Sequence, residues 1–287
     1  MKTSSELILN QDGSIYHLDL FPEDIATTII LVGDPDRVPE VSRHFDTITV
    51  KKGKREFITH TGTLRGNRIT VISTGIGTDN IDIVFNELDA LVNVDLKTGI
   101  AHDELKSLNF IRIGTTGTMQ PDIPVDSYLL SEFGIGFDNL LHFYQSERVR
   151  MTELEKKLLE HISRSSSENS IPYAIPCSKE LSERFIFPEL LRGITVTNSG
   201  FYGPQYRKLR LNPVDIDMPA RLQSFKFNDL QITNFEMETS GIYGLAALMG
   251  HHAISLNCIL ANRATNTFSE QPKTAVKELI KLILERI

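Results

Sequence analysis

Short apolar runs alternate with helical patterns along this chain, and this alternation most limits how it can fold. The runs "TTIILVG" (27–33) and "HAISLNCIL" (252–260) are rich in β-branched residues and end quickly, as buried strands do. Residues 78–92 and 236–250 instead place apolar side chains at helical spacing. The alternation predicts an α/β fold with a mostly parallel or mixed central sheet.

The chain gives no sign of a domain boundary. Its 287 residues are enough for one large α/β domain, and they contain neither an internal repeat nor a linker rich in proline and glycine. The polar stretch "SRSSSENS" (163–170) is predicted as a solvated loop. We therefore expect a single domain over residues 1–287.

Charge and cysteine content exclude several classes of protein. The formal net charge is -7, which argues against a nucleic-acid partner because such proteins present a basic face. Cys177 and Cys258 lie in apolar contexts and are expected to pack as small hydrophobic residues in a reducing compartment. The first 20 residues lack the apolar core of a signal peptide, and no apolar run approaches the ~20 residues of a membrane helix. We expect a cytoplasmic protein with no membrane partner.

Three segments place arginine beside a strand end or a glycine turn, at Arg37, Arg55 and Arg112. Segment 109–117 is predicted as a strand that runs into a polar glycine turn. Arginine binds tetrahedral oxyanions through paired hydrogen bonds, and glycine lets backbone N–H groups approach the same oxygens. A lone arginine after a strand is most often a solvated side chain, so it is the set that indicates a phosphate site.

A helix is predicted to begin directly after the first strand. Asp34 is a suitable cap, and Pro35 suits the first helical position. The positive end of that helix would strengthen an anion site.

The segment "NFEMET" places two carboxylates where a strand gives way to a helix. Alternation along a strand turns Glu236 and Glu238 to one side and Met237 to the other. A carboxylate can accept hydrogen bonds from two sugar hydroxyls, and a thioether can pack on a ring. The alternative is that glutamate near a helix start only complements the helix dipole.

Together these segments resemble the nucleoside phosphorylase-I family. The motifs "GDPDRV", "RIGTTG", "GFYGPQYR", "FEMET" and "ANR" occur in the family's order, from about His17 to Arg263, and the resemblance is weakest across 131–190. The resemblance implies a single-domain α/β fold with a twisted mixed central sheet flanked by helices.

The resemblance also implies roles for individual residues. The phosphate site matches Gly33, Arg37, Arg112 and Thr115, with Arg55 contributed by a neighbouring subunit. The ribose contacts match Met237 and Glu238, with His17 of the neighbouring subunit at the 5′-hydroxyl. The base contacts match Phe201, Gln205 and Arg207, with Arg263 supporting Arg207. Arg112, Glu238, Gln205 and Arg207 are expected to act in catalysis. Sharing of sites implies a homo-oligomer, a dimer at least, and leaves a hexamer open.

Ala261 favours a pyrimidine substrate. Purine-cleaving relatives place an aspartate at the matching position, where it protonates the purine, and alanine has no proton to donate. The implied reaction is reversible phosphorolysis of uridine to uracil and ribose 1-phosphate in nucleoside salvage, with inorganic phosphate as co-substrate. A purine nucleoside phosphorylase and a non-catalytic nucleoside-binding protein stay open as alternatives, as does the choice among uridine, thymidine and deoxyuridine.

Three features depart from the family pattern. The order Gly203-Pro204 is reversed in the base-binding segment, and residues 93–108 are predicted to be an insertion that alters the site's rim or the subunit contacts. Glu56, Ile76 and Asn80 match positions where some relatives hold a monovalent cation such as potassium, although Asn80 replaces a serine. No other metal or cofactor is expected, because no His/Cys cluster has metal-ligand spacing.

Overall fold

Strands and helices alternate along the chain as the apolar pattern predicts. A computed structural model describes residues 6–162 and 171–287, so the loop predicted at 163–170 lies outside the described residues. The strands are β1 Thr28–Val32, β2 Thr47–Lys54, β3 Phe57–Leu64, β4 Asn67–Ser73, β5 Val94–Asp95, β6 Ile100–Ala101, β7 Asn109–Thr118, β8 Tyr128–Gly136, β9 Tyr173–Pro176, β10 Leu190–Thr197, β11 Lys226–Phe227, β12 Leu230–Glu236, β13 His252–Asn262 and β14 Thr267–Phe268. The helices are α1 Arg37–Ser42, α2 Thr78–Asn93, α3 Thr152–Ile162, α4 Lys179–Arg184, α5 Met218–Ser224, α6 Thr239–Met249 and α7 Pro272–Leu284.

Twelve strands of the described residues form one mixed sheet, in the order β11-β12-β10-β8-β13-β7-β1-β4-β3-β2, with β9 and β14 paired to β8 and β13. β12 also pairs with β7, so β12, β10, β8, β13 and β7 close into a ring. Neighbours of β1 are parallel, whereas β8 runs antiparallel to β13. The predicted α/β fold with a mixed central sheet is confirmed.

Both faces of the central strands are covered by helices, which explains why β1 is buried from Ile29 to Val32, whereas the edge strand β2 has no buried residue. Along β1, Ile29 and Leu31 pack into one core cluster with α2 and α6, and Ile30 and Val32 pack into another with α1 and α7. Cys258 is buried in the second cluster and Cys177 packs against it, both as free thiols. Among the described residues no helix is long and apolar enough to cross a membrane.

The predicted start of the first helix is wrong. α1 begins at Arg37, two residues later than expected. The Asp34 carboxylate accepts from the backbone N–H of Asp36 at 3.0 Å, and the Asp34 carbonyl accepts from that of Arg37 at 3.0 Å. Asp34 therefore closes a turn before the helix, because its carboxylate and its carbonyl both accept hydrogen bonds within that turn.

The predicted glycine turn after Arg112 is also wrong. β7 continues to Thr118 because both of its sides find partners: Thr115 and Thr116 pair with β13, and Gly117 and Thr118 pair with β12. The polar residues of this segment thus belong to a buried strand, a placement that the closed ring requires.

The predicted insertion at 93–108 contains the small hairpin of β5 and β6. Asn93 ties its ends together, since its side-chain nitrogen donates to the Lys106 carbonyl at 3.1 Å and its side-chain oxygen accepts from the Lys106 N–H at 2.7 Å. The hairpin is therefore a compact excursion from the end of α2.

Candidate active site

A cavity of about 790 Å³ lies at the carboxyl ends of β1, β4, β7, β12 and β13. Ligands of open α/β sheets bind at this edge, where loops converge. The cavity wall includes these residues singled out from the sequence: Gly33, Arg37, Glu56, Ile76, Asn80, Arg112, Thr115, Phe201, Gln205, Arg207, Met237, Glu238 and Ala261. The wall contains no residue of the 93–108 insertion.

One end of the cavity is cationic. Gly33 follows β1, Arg37 opens α1, and Arg112 and Thr115 come from β7. The Arg37 side chain reaches β7, where Nη1 donates to the Ile113 carbonyl at 3.4 Å. Burial lowers the pKa of Arg37, against the pull of Asp34, and the nearby charge of Arg112 lowers it further. The guanidinium groups of Arg37 and Arg112 repel each other across the pocket, and an anion bound between them would relieve that repulsion.

Arg112 is almost fully buried and is held by three side chains. Its Nη2 lies 2.5 Å from Glu238 Oε2 and 3.3 Å from Glu236 Oε2, and its Nη1 donates to Asn257 Oδ1 at 2.7 Å. Burial alone would lower the pKa of Arg112, but Glu236 and then Glu238 outweigh burial, so the pKa is raised. The guanidinium is therefore a fixed positive charge in a dry part of the cavity.

The two carboxylates at the end of β12 have different hydrogen-bond partners. Glu236 accepts from the backbone N–H groups of Glu238 and Thr239 at 2.9 Å each, and so caps α6. Glu238 accepts from the backbone N–H of Gly77 at 2.8 Å and lines the cavity. Both carboxylates face Arg112 and both line the cavity. Glu236 also accepts from the Thr197 hydroxyl and from two backbone N–H groups of the helix start, so Glu238 keeps more capacity to accept from a ligand.

Burial disfavours the ionised form of the Glu238 carboxyl. The pKa of its carboxyl is raised, because burial and the neighbouring Glu236 outweigh the stabilising effect of Arg112. A buried carboxyl with a raised pKa in a cavity is typical of a functional position.

The opposite end of the cavity is formed by the loop after β10. Gln205 is buried, whereas Phe201 is 49% exposed. The Arg207 guanidinium stacks over the Phe201 ring, 4.2 Å from the ring centre. Burial lowers the pKa of Arg207, and its buried Nε has no hydrogen-bond partner among the described residues. This buried donor is therefore left unsatisfied by the described residues.

Pro204 is held in place by its neighbours in this loop. The Asn198 side chain donates to the Pro204 carbonyl at 2.8 Å, and a Cβ added to Gly200 would lie 2.9 Å from the Pro204 ring. Gly200 thus leaves room for the proline, and Tyr206 then takes a left-handed conformation (φ 58°) that returns the chain toward the cavity. The loop is a defined turn that buries Gln205.

Three of the predicted residues lie outside the wall of this chain's own cavity. His17 binds Glu87, with Nδ1 and Oε1 2.6 Å apart, and Arg55 is exposed at the tip of the β2–β3 hairpin. Arg263 was predicted to support Arg207, but it donates from Nη1 to the Gln205 carbonyl at 3.0 Å, so the residue that it holds directly is Gln205. Burial and then Arg207 lower the pKa of Arg263 to about 10, which shows that the two arginines repel each other.

The residues predicted for a monovalent cation lie together, but an amide joins them. Asn80 Nδ2 lies 3.2 Å from Glu56 Oε1 and 3.5 Å from the Ile76 carbonyl oxygen. An N–H donor between two oxygens takes the place in which a cation would be coordinated, so this arrangement does not fit one. The cation stays a prediction that would require the amide to turn.

Asn257 and Phe268 contribute to the site but were not singled out from the sequence. Asn257 contacts Arg112, and the signal that could have found it is a polar residue in the middle of the apolar run "HAISLNCIL". Phe268 lines the cavity from the short strand β14, for which the sequence carries no comparable signal.

Comparison with known proteins identifies the family. The family model described as "Phosphorylase superfamily" matches residues 27–287, so the chain belongs to that superfamily. A uridine phosphorylase of Thermococcus kodakarensis is 29% identical over 98% of this chain and 91% of its own. A purine nucleoside phosphorylase of Brevibacillus brevis is 26% identical over 94% and 97%. A Trypanosoma brucei nucleoside phosphorylase, whose crystal structure was described as showing uridine phosphorylase activity, superposes with a TM-score of 0.88 at 28% identity over 98% of each chain. The predicted resemblance is confirmed, and the chain is an enzyme of the pentosyltransferase class.

Proposed function

We propose that the protein cleaves uridine, or a closely related pyrimidine nucleoside, with inorganic phosphate, giving uracil and ribose 1-phosphate in nucleoside salvage. The observation that carries the proposal is a single cavity with a cationic end, a buried carboxylate and a polar base-binding loop. The uridine phosphorylase activity ascribed to the Thermococcus and Trypanosoma relatives supports it.

Phosphate is assigned to the cationic end. Arg37, Arg112, Thr115 and the backbone at Gly33 would hold it below C1′ of the sugar, where it is both nucleophile and electrostatic partner. Because phosphate attacks directly, the reaction needs no covalent enzyme intermediate, and inversion at C1′ is expected.

Ribose is assigned to Met237 and Glu238, which line the cavity beside Arg112. The Glu238 carboxylate would accept hydrogen bonds from the 2′- and 3′-hydroxyls while the Met237 thioether packs on the sugar. Fixing the hydroxyls holds the sugar as it becomes oxocarbenium-like, which is when the attacking phosphate is most strongly attracted.

The base is assigned to Phe201, Gln205 and Arg207. As the glycosidic bond lengthens, negative charge develops on the pyrimidine oxygens, and the Gln205 amide and the Arg207 guanidinium are donors for it. Ala261 lines the cavity and offers no acid to a purine leaving group. This absence of an acid supports a pyrimidine over a purine.

Completion of the site by a second copy is also proposed. His17 and Arg55 lie outside the cavity of their own chain, which agrees with service to the site of a neighbouring subunit. The active unit would then be a homo-oligomer, a dimer at least.

The test follows uracil release from uridine with and without inorganic phosphate. We expect turnover only with phosphate, and ribose 1-phosphate as the second product. Uracil release that ignores phosphate would identify a nucleosidase, whereas binding without turnover would identify a nucleoside-binding protein.

A further inference from the structure

Asn257 lies outside the cavity wall, yet it contacts the residue on which phosphate binding depends. It is fully buried in β13, and its side-chain oxygen accepts from Arg112 Nη1 at 2.7 Å. Asn257 pairs in register with Gly114 of β7. A Cβ at Gly114 would lie 1.9 Å from Arg112 Nη1 and 2.2 Å from Asn257 Oδ1. The amide–guanidinium contact therefore occupies space that only glycine leaves open.

The orientation of the Asn257 amide is fixed from its other side. Its nitrogen donates to the hydroxyl of Ser255 at 3.1 Å and to that of Ser131 at 3.3 Å, and both serines are fully buried. Turning the amide would place its N–H₂ group against the donors of Arg112, so the hydrogen-bond pattern admits one orientation. Asn257 is a rigid acceptor aimed at Nη1.

The neutrality of this acceptor matters because Arg112 already faces two carboxylates. Glu236 and Glu238 both lie at Nη2, on the other side of the guanidinium from Asn257. An unrestrained guanidinium would rotate onto this pair and present less charge to an incoming anion. Asn257 opposes that rotation without adding negative charge.

We propose that Asn257 is a positioning residue for phosphate: it holds the Arg112 guanidinium in the plane that leaves donors for the anion while Nη2 stays with Glu238. Arginine has five N–H donors, so engaging one with Asn257 and those of Nη2 with Glu238 and Glu236 still leaves donors for phosphate. The inference rests on the proposed function, since it assigns phosphate to Arg112.

The experiment measures phosphate binding to the nucleoside-free protein by calorimetry, together with separate KM values for phosphate and uridine. Asn257→Ala should weaken phosphate binding about five- to twentyfold, because a buried donor of Arg112 loses its partner. The KM for uridine should change by less than about twofold, because Asn257 does not line the cavity.

Two further variants separate positioning from packing. Asn257→Asp keeps the shape but adds a third carboxylate beside Arg112, and should weaken phosphate binding more than alanine does. It carries the test alone if the alanine variant fails to fold. Ser131→Ala is the matched control, since Ser131 is equally buried and its hydroxyl reaches Asn257 only at the amide nitrogen, besides its bond to the Thr195 hydroxyl. Ser255 still accepts from that nitrogen in this variant, so its phosphate affinity should stay within about twofold of the wild type.

Equal changes in phosphate and uridine parameters in Asn257→Ala would overturn the proposal, as would normal phosphate binding by Asn257→Asp. Because calorimetry needs no nucleoside, these results can contradict the role of Asn257 while uridine phosphorolysis stands. Conversely, phosphate-independent uridine cleavage would contradict the proposed function whatever the variants do.

Discussion

The two ends of the cavity are built in different ways. At the cationic end, Arg112 comes from within β7 and Glu238 from the start of α6; both are buried and are hydrogen-bonded to the protein before any ligand arrives. At the base end, Phe201 and Arg207 come from a loop, are partly exposed, and stack mainly on each other. The first end is preorganised for charge, and the second end leaves the buried Arg207 Nε donor without a partner among the described residues.

This difference separates stability from recognition. Removing a buried ion-paired group leaves its partners buried without a counter-charge, so the protein loses folding stability as well as activity. Removing a partly exposed loop side chain costs its ligand contacts and little else. Four single-residue variants test that separation.

Arg112→Ala should have the largest effect. Loss of the guanidinium removes a phosphate contact and leaves Glu236 and Glu238 unpaired in a buried site. We expect kcat/KM for phosphate to fall about 10²- to 10³-fold, and thermal unfolding to occur at a lower temperature. Steady-state kinetics at varied phosphate and a melting curve check this. An unchanged melting temperature would break the contrast between the two ends.

Glu238→Gln should lower kcat/KM for uridine about 10- to 100-fold, because the amide is a weaker acceptor for the ribose hydroxyls. Glu238 should also make the stability of the wild-type protein depend on pH. The pKa of Glu238 is raised in the folded state, so its contribution to stability is fully present below the ordinary glutamate pKa of about 4.3 and is lost as pH rises through the folded value.

The glutamine variant lacks this loss. Its melting temperature relative to the wild type should therefore increase from acidic to neutral pH. A relative melting temperature that decreases over this range would show that Arg112, and not burial, controls the carboxyl.

Arg207→Ala should lower kcat/KM for uridine about 10- to 100-fold while the KM for phosphate and the melting temperature stay close to wild type. Arg210→Ala is the matched control, since Arg210 is an exposed arginine of the same segment and does not line the cavity. A loss of phosphate affinity in Arg207→Ala equal to that in Arg112→Ala would contradict the division between the ends.

Arg263→Ala should have the smallest effect, about two- to fivefold on kcat/KM for uridine, because the arginine acts through the Gln205 carbonyl. Relief of its repulsion with Arg207 offsets part of the loss. The same uridine and phosphate kinetics measure it. A loss larger than that of Arg207→Ala would mean that Arg263 itself touches the base.

Sequence reasoning identified the fold and most of the cavity wall because both depend on local patterns. Gly33 and Glu238 follow strand ends, and Glu236 and Glu238 both contact Arg112 as predicted, although Met237, which was expected to turn the other way, lines the same cavity. It failed where partners are distant in sequence: the glycine-rich segment after Arg112 continues as a strand only because β12 and β13 flank it. The contact between Arg112 and Asn257 depends on the same register, which no local spacing reveals.

A cavity that binds phosphate at one end and a pyrimidine at the other should distinguish uridine from inosine. A competition measures this directly: equal concentrations of uridine and inosine, with phosphate, followed by separation of the released bases. We expect uracil release to exceed hypoxanthine release by at least about 10²-fold, because a purine leaves the donors of Gln205 and Arg207 unpaired and finds no acid at Ala261. Faster release of hypoxanthine would contradict it.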